Sequence, residues 1–124
     1  MEPELEIIFK KLKELIKHYS PALTIQIDTN WRYELWSDKE VEIEGRKKAK
    51  IFFAGLIIQK GYVGFYYMPV YIDTEIKKVF KPELLKLLKG KSCFHVKRLD
   101  TDLEAQIKNA LEKGFDLYKK NGWV

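Results

Sequence analysis

The hydrophobic positions of the chain change period from its ends to its middle. Leu5, Ile8, Phe9, Leu12, Leu15 and Ile16 recur at steps of three and four, with Lys10, Lys11, Lys13, Glu14 and Lys17 between them. That spacing is the stripe of an amphipathic helix. Pro3 suits a first helical turn and Pro21 forbids continuation, so a helix is predicted from about Glu4 to Tyr19. Near the other end Leu103, Ile107, Ala110, Leu111, Gly114 and Tyr118 form a second stripe, widened by Phe115. Thr101 followed by Glu104 fits a capping box, and Asn121-Gly122 supplies the stop.

Between these stripes the period is two. Leu23, Ile25 and Ile27 alternate with Thr24, Gln26 and Asp28; after an Asp28-Thr29-Asn30 turn, Trp31 to Trp36 alternates again. Val41 and Ile43 alternate with Glu40, Glu42 and Glu44 until Gly45. Ala49 to Gln59 and Tyr62 to Met68 are apolar on both faces and flank Lys60-Gly61, which predicts a central hairpin. Gly55 and Gly64 leave its backbone open to close approach. Pro69 ends the hairpin. Thr74 to Phe80 and Pro82 to Leu88 are predicted short helices, Gly90 is a helix stop, and Ser92 to Lys97 is a last strand. The order is α+β: a mainly antiparallel sheet with N- and C-terminal helices packed on one face, in a single domain spanning residues 1–124. Two helices cover one sheet face. The other is then left as an aromatic concavity, a surface for a ligand or a protein partner, drawn from Trp31, Trp36, Phe52, Phe53, Tyr62, Phe65, Tyr66, Tyr67 and Tyr71.

Composition narrows this. With 124 residues, 46% hydrophobic and 33% charged, the chain can bury a core without disulfides, and the single cysteine, Cys93, allows none internally. An acidic start, Met1-Glu2-Pro3-Glu4, and the lack of any apolar run of membrane-spanning length predict a cytoplasmic protein with no membrane partner. The net charge of +5 invites anionic partners. Most lysines alternate with acids, however, and only Arg46-Lys47-Lys48 with Lys50 is dense, so nucleic acid has no coherent footprint in the sequence.

No catalytic set emerges. Gly90-Lys91-Ser92 resembles the end of a phosphate-binding loop, but the earlier glycine position holds Leu85, and the segment leads into a strand. Cys93 and His95 share a strand face at a separation of about 6–7 Å along the backbone, loose for a nucleophilic dyad. One cysteine and two histidines cannot build a zinc site. For a hard cation the oxygen donors are Glu2, Glu4 and Glu6, or Glu40, Glu42 and Glu44. Acids at a helix start and along a solvated strand face account for both sets without a metal.

Tyr66-Tyr67-Met68-Pro69-Val70-Tyr71, then Gly90-Lys91-Ser92-Cys93-Phe94, then Gly114-Phe115 through Tyr118 to Gly122-Trp123 resemble the YdhG-like family, a domain of unknown function, over nearly the whole chain. The resemblance implies a frataxin-like fold and, for some members, an iron-chaperone role through acidic side chains of the first helix. Here those would be Glu2, Glu4, Glu6 and Glu14. Three readings follow. The first is a non-enzymatic YdhG-like binding protein, with iron as cofactor by resemblance only. The second is an anion or nucleic-acid module acting through Arg46-Lys47-Lys48 and Lys91. The third is an enzyme with a small-molecule pocket near Gly90-Lys91-Ser92-Cys93. The pocket candidates are Tyr66, Met68, Lys91, Ser92, Cys93 and His95.

Overall fold

A computed structural model describes residues 2–43, 45–48 and 50–124. Glu44 and Ala49, expected in the acidic strand face and at the start of the central hairpin, lie outside the described residues, as does the Lys48 side chain. Helix α1 runs Pro3–Lys17 and buries Leu5, Ile8, Phe9, Leu12 and Ile16, all five from the predicted stripe, with Leu15 partly buried beside them. Then come β1 (Thr24–Asp28), β2 (Arg32–Ser37), β3 (Val41–Ile43), β4 (Arg46–Lys48), β5 (Ile51–Gln59) and β6 (Tyr62–Tyr67). Helix α2 (Met68–Ile72), a 3₁₀ helix (Thr74–Val79), α3 (Pro82–Leu85), β7 (Leu88–Lys89), β8 (Cys93–Val96) and α4 (Thr101–Lys120) complete the chain.

The main sheet has six strands in the order β1-β2-β5-β6-β8-β7, and its recorded pairings are antiparallel. β3 and β4 form a separate two-stranded hairpin. α1 and α4 pack on one face of the main sheet. Tyr33 and Leu35 of β2, Leu56 of β5, Val63, Phe65 and Tyr67 of β6, and Phe94 and Val96 of β8 form its buried floor. A bulge shapes the centre. Leu35 pairs with Ala54 but Trp36 pairs with Phe52, so Phe53 is an extra residue. The extra residue turns Phe53 into the core while Phe52 stays on the opposite face beside Trp36. The chain end is also anchored: Ser37 donates from Oγ to the carbonyl of Trp123, and the Trp123 ring lies edge-on to Tyr118 at 5.1 Å.

Four local expectations change. Met68 opens α2 instead of ending a strand; Pro69 in its first turn needs no N–H there. The predicted helix to Leu88 stops at Leu85, and Leu88-Lys89 pairs with β8. Gly90, at φ 75°, therefore turns a β-hairpin and does not end a helix. The cap of α4 is Asp100, which accepts from the Leu103 N–H at 2.8 Å, so Thr101 is already helical.

Buried phenols tie the helices to the sheet. Tyr67 donates to the Ala110 carbonyl and Tyr118 to that of Phe52. Burial raises both phenols well above their ordinary pKa, and pushes Tyr19 and Tyr33 up to about 12, with nearby carboxylates adding to the last two. Unfolded tyrosines ionise near pH ~10. The folded state holds these protons to higher pH, so their contribution to stability is complete below about pH 10 and is lost as pH rises towards 12. The urea midpoint followed by circular dichroism is expected to fall steeply over that interval, together with the appearance of phenolate absorbance. A midpoint flat to about pH 12 would contradict the assignment.

Candidate functional site

The face of the sheet turned away from α1 and α4 carries the half-buried members of each strand's alternation: Arg32, Glu34 and Trp36 of β2, Phe52 and Ile57 of β5, Tyr62 and Tyr66 of β6, and Cys93 and His95 of β8. Two glycines shape it. A Cβ on Gly55 would stand 2.9 Å from the Phe52 ring, and one on Gly64 would stand 3.0 Å from the Tyr66 ring. The backbone is approached closely at both positions, by the protein's own aromatic rings lying over it.

These rings leave a cleft of about 390 Å³ between them. Trp36 and Phe52, packed edge to face at 5.3 Å, make one wall, and Tyr66, Met68 and Ser92 make the other. Gly55 and Ile57 contribute to the floor. Along one rim Glu34, whose side chain is 13% exposed, organises its two strand neighbours. Its Oε2 accepts from Nε and Nη2 of Arg32, and its Oε1 accepts from the Trp36 indole N–H at 2.9 Å. One carboxylate thus fixes both the plane of the indole and the direction of the guanidinium. Two of the five guanidinium N–H groups are used, leaving three to meet an acceptor. Concave, aromatic and polar at a single rim, the cleft suits a flat, largely apolar molecule carrying a hydrogen-bond acceptor.

The pocket candidates from the sequence divide. Tyr66, Met68 and Ser92 line the cleft. Cys93 lies beside Tyr66, while burial pushes its thiol up against a smaller downward pull from the Tyr66 hydroxyl. That environment favours the protonated thiol over the nucleophilic thiolate. His95 stacks on Tyr62 at 3.9 Å with the rings nearly parallel, and no hydrogen bond joins it to Cys93 among the described residues. Lys91 is exposed, its Nζ 5.8 Å from the Tyr71 ring centroid. Trp31 is also largely exposed, whereas Phe53, Phe65 and Tyr67 belong to the core. Glu2, Glu4 and Glu6 sit in or next to the first turn of α1, and no group of three or more His, Cys, Asp or Glu side chains that could hold a metal ion occurs among the described residues. Of the dense basic segment, Arg46 and Lys47 are exposed on β4, and Lys47 pairs with Glu42 across the hairpin.

The Arg32-Glu34-Trp36 rim was not recognised from the sequence as chemistry. Its signal was present: an i, i+2, i+4 run of cation, anion and indole on one strand face. No helix among the described residues is long and apolar enough to cross a membrane. No protein-family model, curated protein or solved structure matches the chain.

Proposed function

We propose that this chain is a non-enzymatic binding domain of the YdhG-like, frataxin-like kind, which takes a flat apolar ligand bearing an acceptor group in the cleft of its uncovered sheet face. The observation that carries this reading is the Glu34 carboxylate holding Trp36 and Arg32 in fixed orientations at the rim of an aromatic cleft. A side chain organised by a largely buried hydrogen-bonding partner is pre-organised, which lowers the entropy lost on binding. The environment of Cys93 and the stacking of His95 support binding over catalysis. The carboxylates of α1 support iron less well, because Lys10, Lys11, Lys13 and Lys17 share that helix.

Naphthoate, a fused aromatic ring with one carboxylate, is a suitable probe. Titration is expected to change tryptophan fluorescence saturably through Trp36. Trp36→Ala should weaken binding by about 30-fold or more, as an aromatic anchor does, and Arg32→Met by about tenfold through loss of the acceptor contact. Absence of saturable binding, or binding unchanged in Trp36→Ala, would remove the reading.

A further inference from the structure

A second recess lies where α3, β7, β8 and the start of α4 meet, and its chemistry is opposite to that of the cleft. It encloses about 430 Å³, and Lys86, Lys89, Lys97 and Arg98 line it together with Glu83 and Asp100. The two carboxylates face neutral partners: Glu83 accepts from the Gln106 side-chain amide at 2.8 Å, and Asp100 accepts from the Leu103 N–H at 2.8 Å as the cap of α4, so both keep their charge. None of the four cations is in an ion pair among the described residues. Four cations from three different segments against two carboxylates leave the recess with an excess of positive charge, which a bound anion would offset.

His95 reports the same field from the wall of the recess. Burial lowers its pKa first, and Lys89 and Lys97 lower it further. Its ring is pinned by the stack on Tyr62. A rigid frame carrying several ammonium groups and a guanidinium is the donor set that phosphate oxygens recognise.

We propose that this recess is an anion site for the phosphate groups of an organic phosphate carrying at least two negative charges. Its volume suits one small molecule. A nucleic-acid strand would present the same phosphate chemistry. The site shares no cation with the Arg32 rim, so it stands or falls independently of the cleft.

Titration of the full chain with ATP, and separately with a short oligothymidylate, tests the proposal at low and moderate salt. Lys89→Gln/Arg98→Gln is expected to weaken ATP binding by about tenfold or more, with a shallower salt dependence. The charge-matched control Lys10→Gln/Lys11→Gln, on exposed positions of α1, should change it less than about twofold. Trp36→Ala should leave it unchanged. Selective loss seen with the oligonucleotide and not with ATP would keep the phosphate site and name a strand as its source. Failure of both probes to bind, or equal loss in the control pair, would overturn the proposal. Both double variants should melt with the native protein, because the altered side chains are exposed.

Discussion

Gly114→Ala is expected to destabilise the protein by about 2–4 kcal/mol, against the usual gain when alanine replaces a helical glycine. The normal gain is about 1 kcal/mol. Here the added Cβ would stand 1.9 Å from the Tyr67 hydroxyl oxygen, 2.7 Å from its Cζ and 2.8 Å from Pro69 Cγ. Tyr67 cannot retreat. It is fully buried, with Phe65, Phe53 and Phe80 rings at 5.3, 6.0 and 6.4 Å, and its hydroxyl donates to the Ala110 carbonyl one turn before Gly114. Overpacking of about 1–3 kcal/mol adds to a lost buried hydrogen bond worth a similar amount. Thermal unfolding should fall by about 10 °C. Tyr67→Phe removes the clashing oxygen, so it should cost about 1–2 kcal/mol alone yet stabilise the Gly114→Ala background. Strictly additive effects of the two substitutions would show that the helix and the phenol do not meet there.

Phe53→Ala should cost about 3–5 kcal/mol, the range for emptying an aromatic site in a packed core. Tyr118, Tyr19, Tyr67 and Phe115 surround its ring at 5.1, 5.9, 6.0 and 6.3 Å, so one side chain joins the region after α1, the sheet and α4. No single neighbour can fill the space while keeping its own contacts. Phe52→Ala, one residue away, should cost less than about 1.5 kcal/mol, because its ring lies on the uncovered face and is only half-buried. The binding consequence is reversed: the Phe52 change should weaken naphthoate and the Phe53 change should not, so long as the protein stays folded. Equal stability losses for the pair, measured by denaturant titration, would contradict the bulge that separates them.

The terminal helices and the central hairpin were legible because periods of 3.6 and two are long-range patterns that tertiary packing reinforces. The local errors share a cause. Arg46-Lys47-Lys48 forms β4 despite having no apolar alternation, because its partner Val41–Ile43 supplies the backbone hydrogen bonds. Leu84, Leu85, Leu87 and Leu88 look like one helical stripe, but pairing with β8 claims Leu88 for the sheet. Asp100 and Thr101 are both good caps, and only geometry chooses between them.

The candidate sites were less legible than the fold. Tyr66, Met68 and Ser92 line the cleft, but the sequence does not reveal that a bulge at Phe53 keeps Phe52 with Trp36 on the uncovered face. The basic recess is assembled from α3, β7, β8 and the loop before α4, so its cations lie up to 12 positions apart and form no run. The segment that is dense in sequence, Arg46-Lys47-Lys48, belongs to the small hairpin.

The uncovered sheet face is the proposed binding surface of this domain. Backbone and indole amide resonances recorded during a naphthoate titration test it in one measurement. The largest shifts should fall on the Trp36 indole, Gly55, Ile57 and Tyr66, with α1 and α4 unmoved. Shifts centred on the terminal helices, or spread evenly over the chain, would contradict it.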